Sequence, residues 1–134
     1  MRLSDMFFII AILSVLSGMG LGIYMGIAHD FTLRPVHVHG NLLGFVTMFL
    51  CGLYYRVEPD AVSRLAYTQF GVAVFGFGLM VGGIAGIVSG NHGFLPVAIA
   101  GSFLSFLAIL LLLVVVARRA FAASRAETAA TDHR

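Results

Sequence analysis

Four uninterrupted apolar runs divide the chain, at residues 6–28, 36–55, 66–88 and 94–117, and none contains Lys, Arg, Asp or Glu. A helix needs about 20 consecutive apolar residues to cross the hydrocarbon of a bilayer. Each run meets that length, so the pattern predicts an all-α, integral-membrane four-helix bundle in one domain, residues 1–117. The connections are short. Arg34 and Pro35 lie in the first, Arg56 to Leu65 form the second, and the third is only Ser89 to Gly93. Runs three and four therefore read as a tight antiparallel hairpin. Beyond Ala117 the chain turns polar (RRAFAASRAETAATDHR), so residues 118–134 read as a cytoplasmic tail that extends the fourth helix and then frays.

The first run also has the look of a signal peptide, because Gly26, Ile27 and Ala28 resemble a small-residue cleavage site. Its 23 apolar residues exceed the usual hydrophobic core of such a peptide, about 7–15 residues. It is read as a retained helix. An even number of crossings puts both termini on one side. That side holds Arg2, Arg56, Arg64, Arg118, Arg119, Arg125 and Arg134, and the other holds Arg34 alone. By the positive-inside rule both termini are expected in the cytoplasm of a cell whose inner (plasma) membrane carries the chain. The first and third connections then face outward.

Composition agrees with the pattern. Of the 134 residues 60% are apolar and 10% charged, with a mean hydropathy of +1.00. Soluble domains carry about 25% charged residues. A cytosolic enzyme, a disordered tail and a nucleic-acid-binding domain are excluded as readings. The lone cysteine, Cys51, excludes an intramolecular disulfide and any cysteine-only metal site. No nucleophile–base pair, phosphate-cradling loop or paired intramembrane carboxylate is present. The chemistry is left to five histidines.

Four of these fall at the outer end of the expected bundle: His29 closing span one, His37 and His39 opening span two, and His92 in the third connection. His133 lies in the tail. Ionisable groups at membrane depth are costly and mark functional sites by default. His29 beside Asp30 also reads as a solvated loop residue, and His39 and His92 as headgroup-level hydrogen-bonders. His37 has the strongest case. Two residues apart is about 200° around a helix, so His37 and His39 do not share a face. With His37 go Asn41, Gly44, Met48, Cys51, Gly52 and Tyr55, expected to face the interior. With His39 go Leu42, Leu43, Val46, Leu50 and Leu53, expected to face lipid or a neighbouring subunit. Glycines repeat every four residues at Gly18, Gly22 and Gly26, at Gly40 and Gly44, and at Gly78, Gly82, Gly86 and Gly90. Such small-residue faces let helices approach closely in lipid, and they leave room for a flat macrocycle.

The segment from Leu33 to Pro59, LRPVHVHGNLLGFVTMFLCGLYYRVEP, resembles the second transmembrane helix of catalytic subunit I in the haem–copper oxidase superfamily. Its Arg-Pro-x-His opening is similar to that of the C-family cytochrome oxidases. Its Val-His followed by a Tyr-Tyr exit before a proline is similar to the nitric oxide reductases. The resemblance covers 27 of the 134 residues. It implies a low-spin haem b with His37 as an axial ligand near the outer face. The pair His39–Gly40 looks like the His-Gly of other oxidase branches. The second ligand would come from His92, His39 or another subunit. A complete dinuclear centre needs further histidines for a second haem and for copper, more than one such chain offers.

Imidazole is a good haem ligand, and the axial set decides whether the iron carries electrons or binds gas. Gly44 and Met48 would flank the macrocycle, with Phe45 and Phe49. Arg34, one turn before His37, would meet a propionate or simply snorkel to headgroups. The expected role is electron transfer or sensing of NO, CO or O2, with a homo-oligomer in the bilayer and an electron-transfer partner at the outer face. Two other readings stand beside it. In one, His37, His39 and His92, with His29, bind copper or zinc without haem. In the other, the chain is a structural or assembly subunit of a respiratory complex.

Overall fold

The computed structural model describes residues 1–132, with side chains described as far as Arg125; His133 and Arg134 lie outside the described residues. Every long element is helical and no strand occurs among the described residues. The helices are α1 (Leu3–Ala28), α2 (Arg34–Val57), α3 (Arg64–Val88) and α4 (Leu95–Asp132). All four have the length and apolarity to cross a membrane. The chain is a multi-pass helical bundle that contacts the lipid bilayer. At α4 the helix runs well beyond Ala117, so the polar stretch continues the fourth span as expected.

Local chemistry sets the ends. His29 takes a left-handed conformation (φ 51°) and stops α1. Asp30 then accepts hydrogen bonds from the backbone and hydroxyl of Thr32, at 2.9 and 2.6 Å. These bonds hold its carboxyl below the ordinary carboxylate value. Pro35 sits in the first turn of α2, where its missing N–H costs nothing. Ser63 caps α3 by accepting from the Ala66 N–H. Gly90, at φ +95°, makes the turn into α4, a conformation that residues with a Cβ rarely adopt.

In lipid the hydrophobic effect does not drive one helix onto another, so closeness of packing decides which faces meet. Helix α4 lies along α3 for most of its span and rests almost wholly on it. Three glycines make this possible. A Cβ on Gly76 would lie 2.7 Å from the Ser105 backbone nitrogen, one on Gly83 would strike the Ala98 backbone, and one on Gly101 the Met80 backbone. The four-residue glycine row of the third span, expected to pack within the bundle or between subunits, is not the row that meets α4. A Cβ on Gly78 or Gly82 would meet nothing within 4 Å among the described residues, and Gly90 belongs to the turn; of that row Gly86 packs, against Phe94. The small residues of α4, Ala98 and Gly101, select Gly83 and the Met80 backbone on α3 rather than the four-residue repeat. Gly26 and Gly40 are likewise open.

Helix α1 packs on α2, and both lean on α3. The tightest core lies toward the end that holds the N-terminus. Phe7 is fully buried, stacks on Tyr55 at 5.7 Å and meets the edge of Phe70 at 4.8 Å. Around it gather Leu3, Ala11, Met48, Cys51 and Ala66. One amide is sealed inside: Gln69, at 0% exposure, accepts from the Tyr55 hydroxyl at 3.3 Å, and its NH2 faces the Cys51 sulfur at 3.9 Å. Ion pairs fasten the same end. Asp5 of α1 meets Arg56 of α2, and Arg119 of α4 reaches Glu58 and Asp60, each at 3.0 Å. They are partly exposed, and such pairs contribute about 0–1 kcal/mol each. Glycine fit and aromatic packing therefore hold the bundle, and the charges orient its end.

Two expectations follow. Gly83→Leu should lower stability by about 1–3 kcal/mol through overpacking, whereas Gly82→Leu, on an open face, should leave it nearly unchanged. Denaturant titration in mixed micelles, followed by circular dichroism, checks the pair. Tyr55→Phe should cost about 0.6 kcal/mol, the usual worth of an interhelical hydrogen bond in a membrane protein, by the same titration.

Candidate functional site: the His37 notch

The site begins with the two glycines of α1 that its neighbour uses. Gly18 and Gly22, one turn apart, leave a notch. A Cβ on Gly22 would stand 3.0 Å from His37 Cε1, and one on Gly18 would run into the Asn41 amide. His37 and Asn41, one turn apart on α2, fill that notch. The His37 Nδ1 lies 2.9 Å from the Gly18 carbonyl oxygen. A carbonyl only accepts, so Nδ1 carries the proton, and Nε2 keeps its lone pair. The Asn41 NH2 stands 3.3 Å from Nε2 and 3.4 Å from Nδ1, so its donor faces the nitrogen that accepts. The Asn41 carbonyl oxygen is buried and has no partner among the described residues.

Just below, α2 widens. Residues Gly40–Thr47 form a π-helix, in which each N–H reaches five residues back, and the Thr47 hydroxyl spans the same distance to the Leu42 carbonyl at 3.0 Å. Such widened turns occur often at functional sites. The inward row expected of this helix holds below the notch: Gly44, Met48, Cys51, Gly52 and Tyr55 are all buried. Leu42, Val46, Leu50 and Leu53 of the opposite row are exposed, toward the bilayer.

Beside the notch is a lipid-open groove of about 360 Å³ between α1, α2 and α3, walled by Leu13, Ser14, Ser17, Phe77 and Gly78, with His37 at its edge. The other candidates lie elsewhere. Gly44 is filled by the Phe77 ring and Ser14, and Met48 belongs to the buried core. His39 Nδ1 turns back to the Pro35 carbonyl on its own helix, at 2.8 Å. His92 opens a short 3-10 turn and is exposed, as is His29. Arg34 is also exposed and places its guanidinium over the Phe31 ring, 5.6 Å from the centroid. Among the described residues no three His, Cys, Asp or Glu side chains gather as a metal-ligand group. His37 is the only outer histidine that lines the groove. The partner the sequence did not mark is the Gly18 carbonyl. Backbone acceptors carry no residue signature, and only the spare Gly18–Gly22 surface hinted at a close approach there. Compared with known proteins, the chain matches no family model, no curated protein and no solved structure.

Proposed function

We propose that this chain binds haem b in the membrane, is related to subunit I of the haem–copper oxidases, and serves electron transfer or the sensing of NO, CO or O2. One observation carries the reading: the Gly18 carbonyl engages Nδ1 of His37 and leaves Nε2 as the basic nitrogen beside an apolar groove. Histidines that ligate metals regularly donate their other N–H to a carbonyl or carboxylate, which fixes tautomer and ring direction. The residues present fit a haem in that respect and in the mostly apolar walls of the groove. His37 would give the axial imidazole, with the Asn41 amide yielding its place on Nε2. Ser14, Ser17 and Phe77 would line the macrocycle, with Gly44 and Met48 behind them. Arg34 would meet a propionate at the outer end. A haem held there supplies an iron that carries electrons when both axial positions are closed and binds gas when one is open. The second axial ligand would be His92, His39 or a histidine of another copy in a homo-oligomer, and an electron-transfer partner would dock at the outer face. One chain does not offer the histidines for a complete dinuclear centre.

A structural or assembly role in a respiratory complex is the second reading. It is favoured by Gly78 and Gly82, where an added Cβ would meet nothing within 4 Å among the described residues, so that they offer a close-approach surface to another helix.

Chain purified from haem-replete cells should show a Soret band that is lost or shifted in His37→Ala while circular dichroism stays helical. A colourless preparation overturns the haem reading, and one copper or zinc per chain without iron would replace it by haem-free metal binding. The arginine asymmetry supports the reading that both termini are cytoplasmic and that the chain sits in an inner membrane. A green fluorescent protein fused to the C-terminus should therefore fluoresce, and a periplasm-dependent phosphatase fused there should be inactive.

A further inference from the structure

The end of the bundle opposite the His37 notch contains a second hollow, of about 370 Å³, lined by Arg2, Ser4, Tyr55, Arg56, Val62 and Tyr67. Among its polar side chains the Tyr55 hydroxyl donates to Gln69 and Arg56 pairs with Asp5, which leaves Arg2, Ser4 and Tyr67. Ser4 is only 3% exposed, yet its hydroxyl makes no hydrogen bond among the described residues, and neither does that of Tyr67. Asp5, the nearest carboxylate in sequence, is already taken. One of its oxygens meets Arg56 and the other accepts from the Arg2 backbone N–H at 3.3 Å. The Arg2 guanidinium therefore forms no ion pair among the described residues. No carboxylate lines the hollow, and Leu3, Pro59 and Val62 give it an apolar flank. It lies where α1 begins and α2 ends, the level at which phosphates sit beside a bundle that crosses a bilayer.

We propose that this hollow seats the phosphate of an anionic phospholipid headgroup, with Arg2 and the Ser4 hydroxyl as its principal donors. An arginine and a hydroxyl with no acceptor form charge-assisted and neutral hydrogen bonds to a phosphodiester. The apolar flank takes the first carbons of the acyl chains. The same donors suit free phosphate, but the apolar flank at membrane level selects the lipid. This site is independent of the haem reading, since it uses other residues at the other end of the helices.

The test is native mass spectrometry of the full chain in a neutral detergent, with equal amounts of phosphatidylglycerol and phosphatidylcholine. Phosphatidylglycerol should be retained in preference, one molecule per chain. Arg2→Gln should lower its retention about fivefold, and Ser4→Ala should lower it also. Arg118→Gln, at the same end of the bundle but in the wall of a different hollow, should leave it unchanged. Excess inorganic phosphate should not displace the lipid. Equal retention of the two lipids overturns the proposal, as does undiminished retention by either hollow variant or an equal loss in Arg118→Gln. Displacement by inorganic phosphate overturns the lipid assignment in favour of a free anion.

Discussion

Close approach of helix backbones at glycine is the constraint on which the rest of this structure depends. A soluble bundle gathers its helices by removing apolar side chains from water. Here the surrounding acyl chains are as apolar as the leucines, and that force is absent between helices once they are inserted. Contact must come from fit. Gly76, Gly83 and Gly101 bring α3 and α4 to backbone distance, and Gly52 receives Phe8. Gly18 and Gly22 do the same for α1 against α2, with one difference: what enters their notch is an imidazole and an amide instead of a hydrocarbon. The device that packs the bundle also seats the His37 ring.

The two ends of the bundle use polarity differently. Toward the termini, polar groups lock elements together. Gln69 joins α3 to the Tyr55 and Cys51 of α2, and Arg119 joins α4 to the connection between α2 and α3. Toward the other end, one polar pair, His37 and Asn41, lies within the helix contacts, beside an open groove lined by α1, α2 and α3. An aromatic core anchored by Phe7 closes one end, and toward the other a groove opens between α1, α2 and α3.

Much of this was legible in the sequence. Uninterrupted apolar length located all four spans. The helical period on α2 sorted Met48, Cys51 and Tyr55 inward and Leu42, Leu50 and Leu53 outward, because one strongly asymmetric helix needs no knowledge of its partners. The same reasoning applied to α3 chose the row through Gly78 and Gly82, whereas the packed row runs through Gly76 and Gly83. A helix rich in glycine offers several small faces, and only the partner's shape decides among them. Gln69 carried no mark either, since a lone amide in an apolar run becomes informative only when Tyr55 is seen to reach it. The contact of His37 with Gly18 joins residues from two helices and involves a main-chain oxygen, which residue types do not encode. Of the four outer histidines, the fold puts His37 at the groove.

The widened stretch from Gly40 to Thr47 separates the ring of His37 from the aromatic anchor at Tyr55. Each π-helical residue turns the chain through a smaller angle than an α-helical one, so the stretch acts as a vernier between the two halves of α2. Lengthening or shortening it by a residue would swing the imidazole to a new compass bearing while the anchored half stayed put. Descendants of this chain would thus have a cheap route to re-aim that ring without rebuilding the protein beneath it.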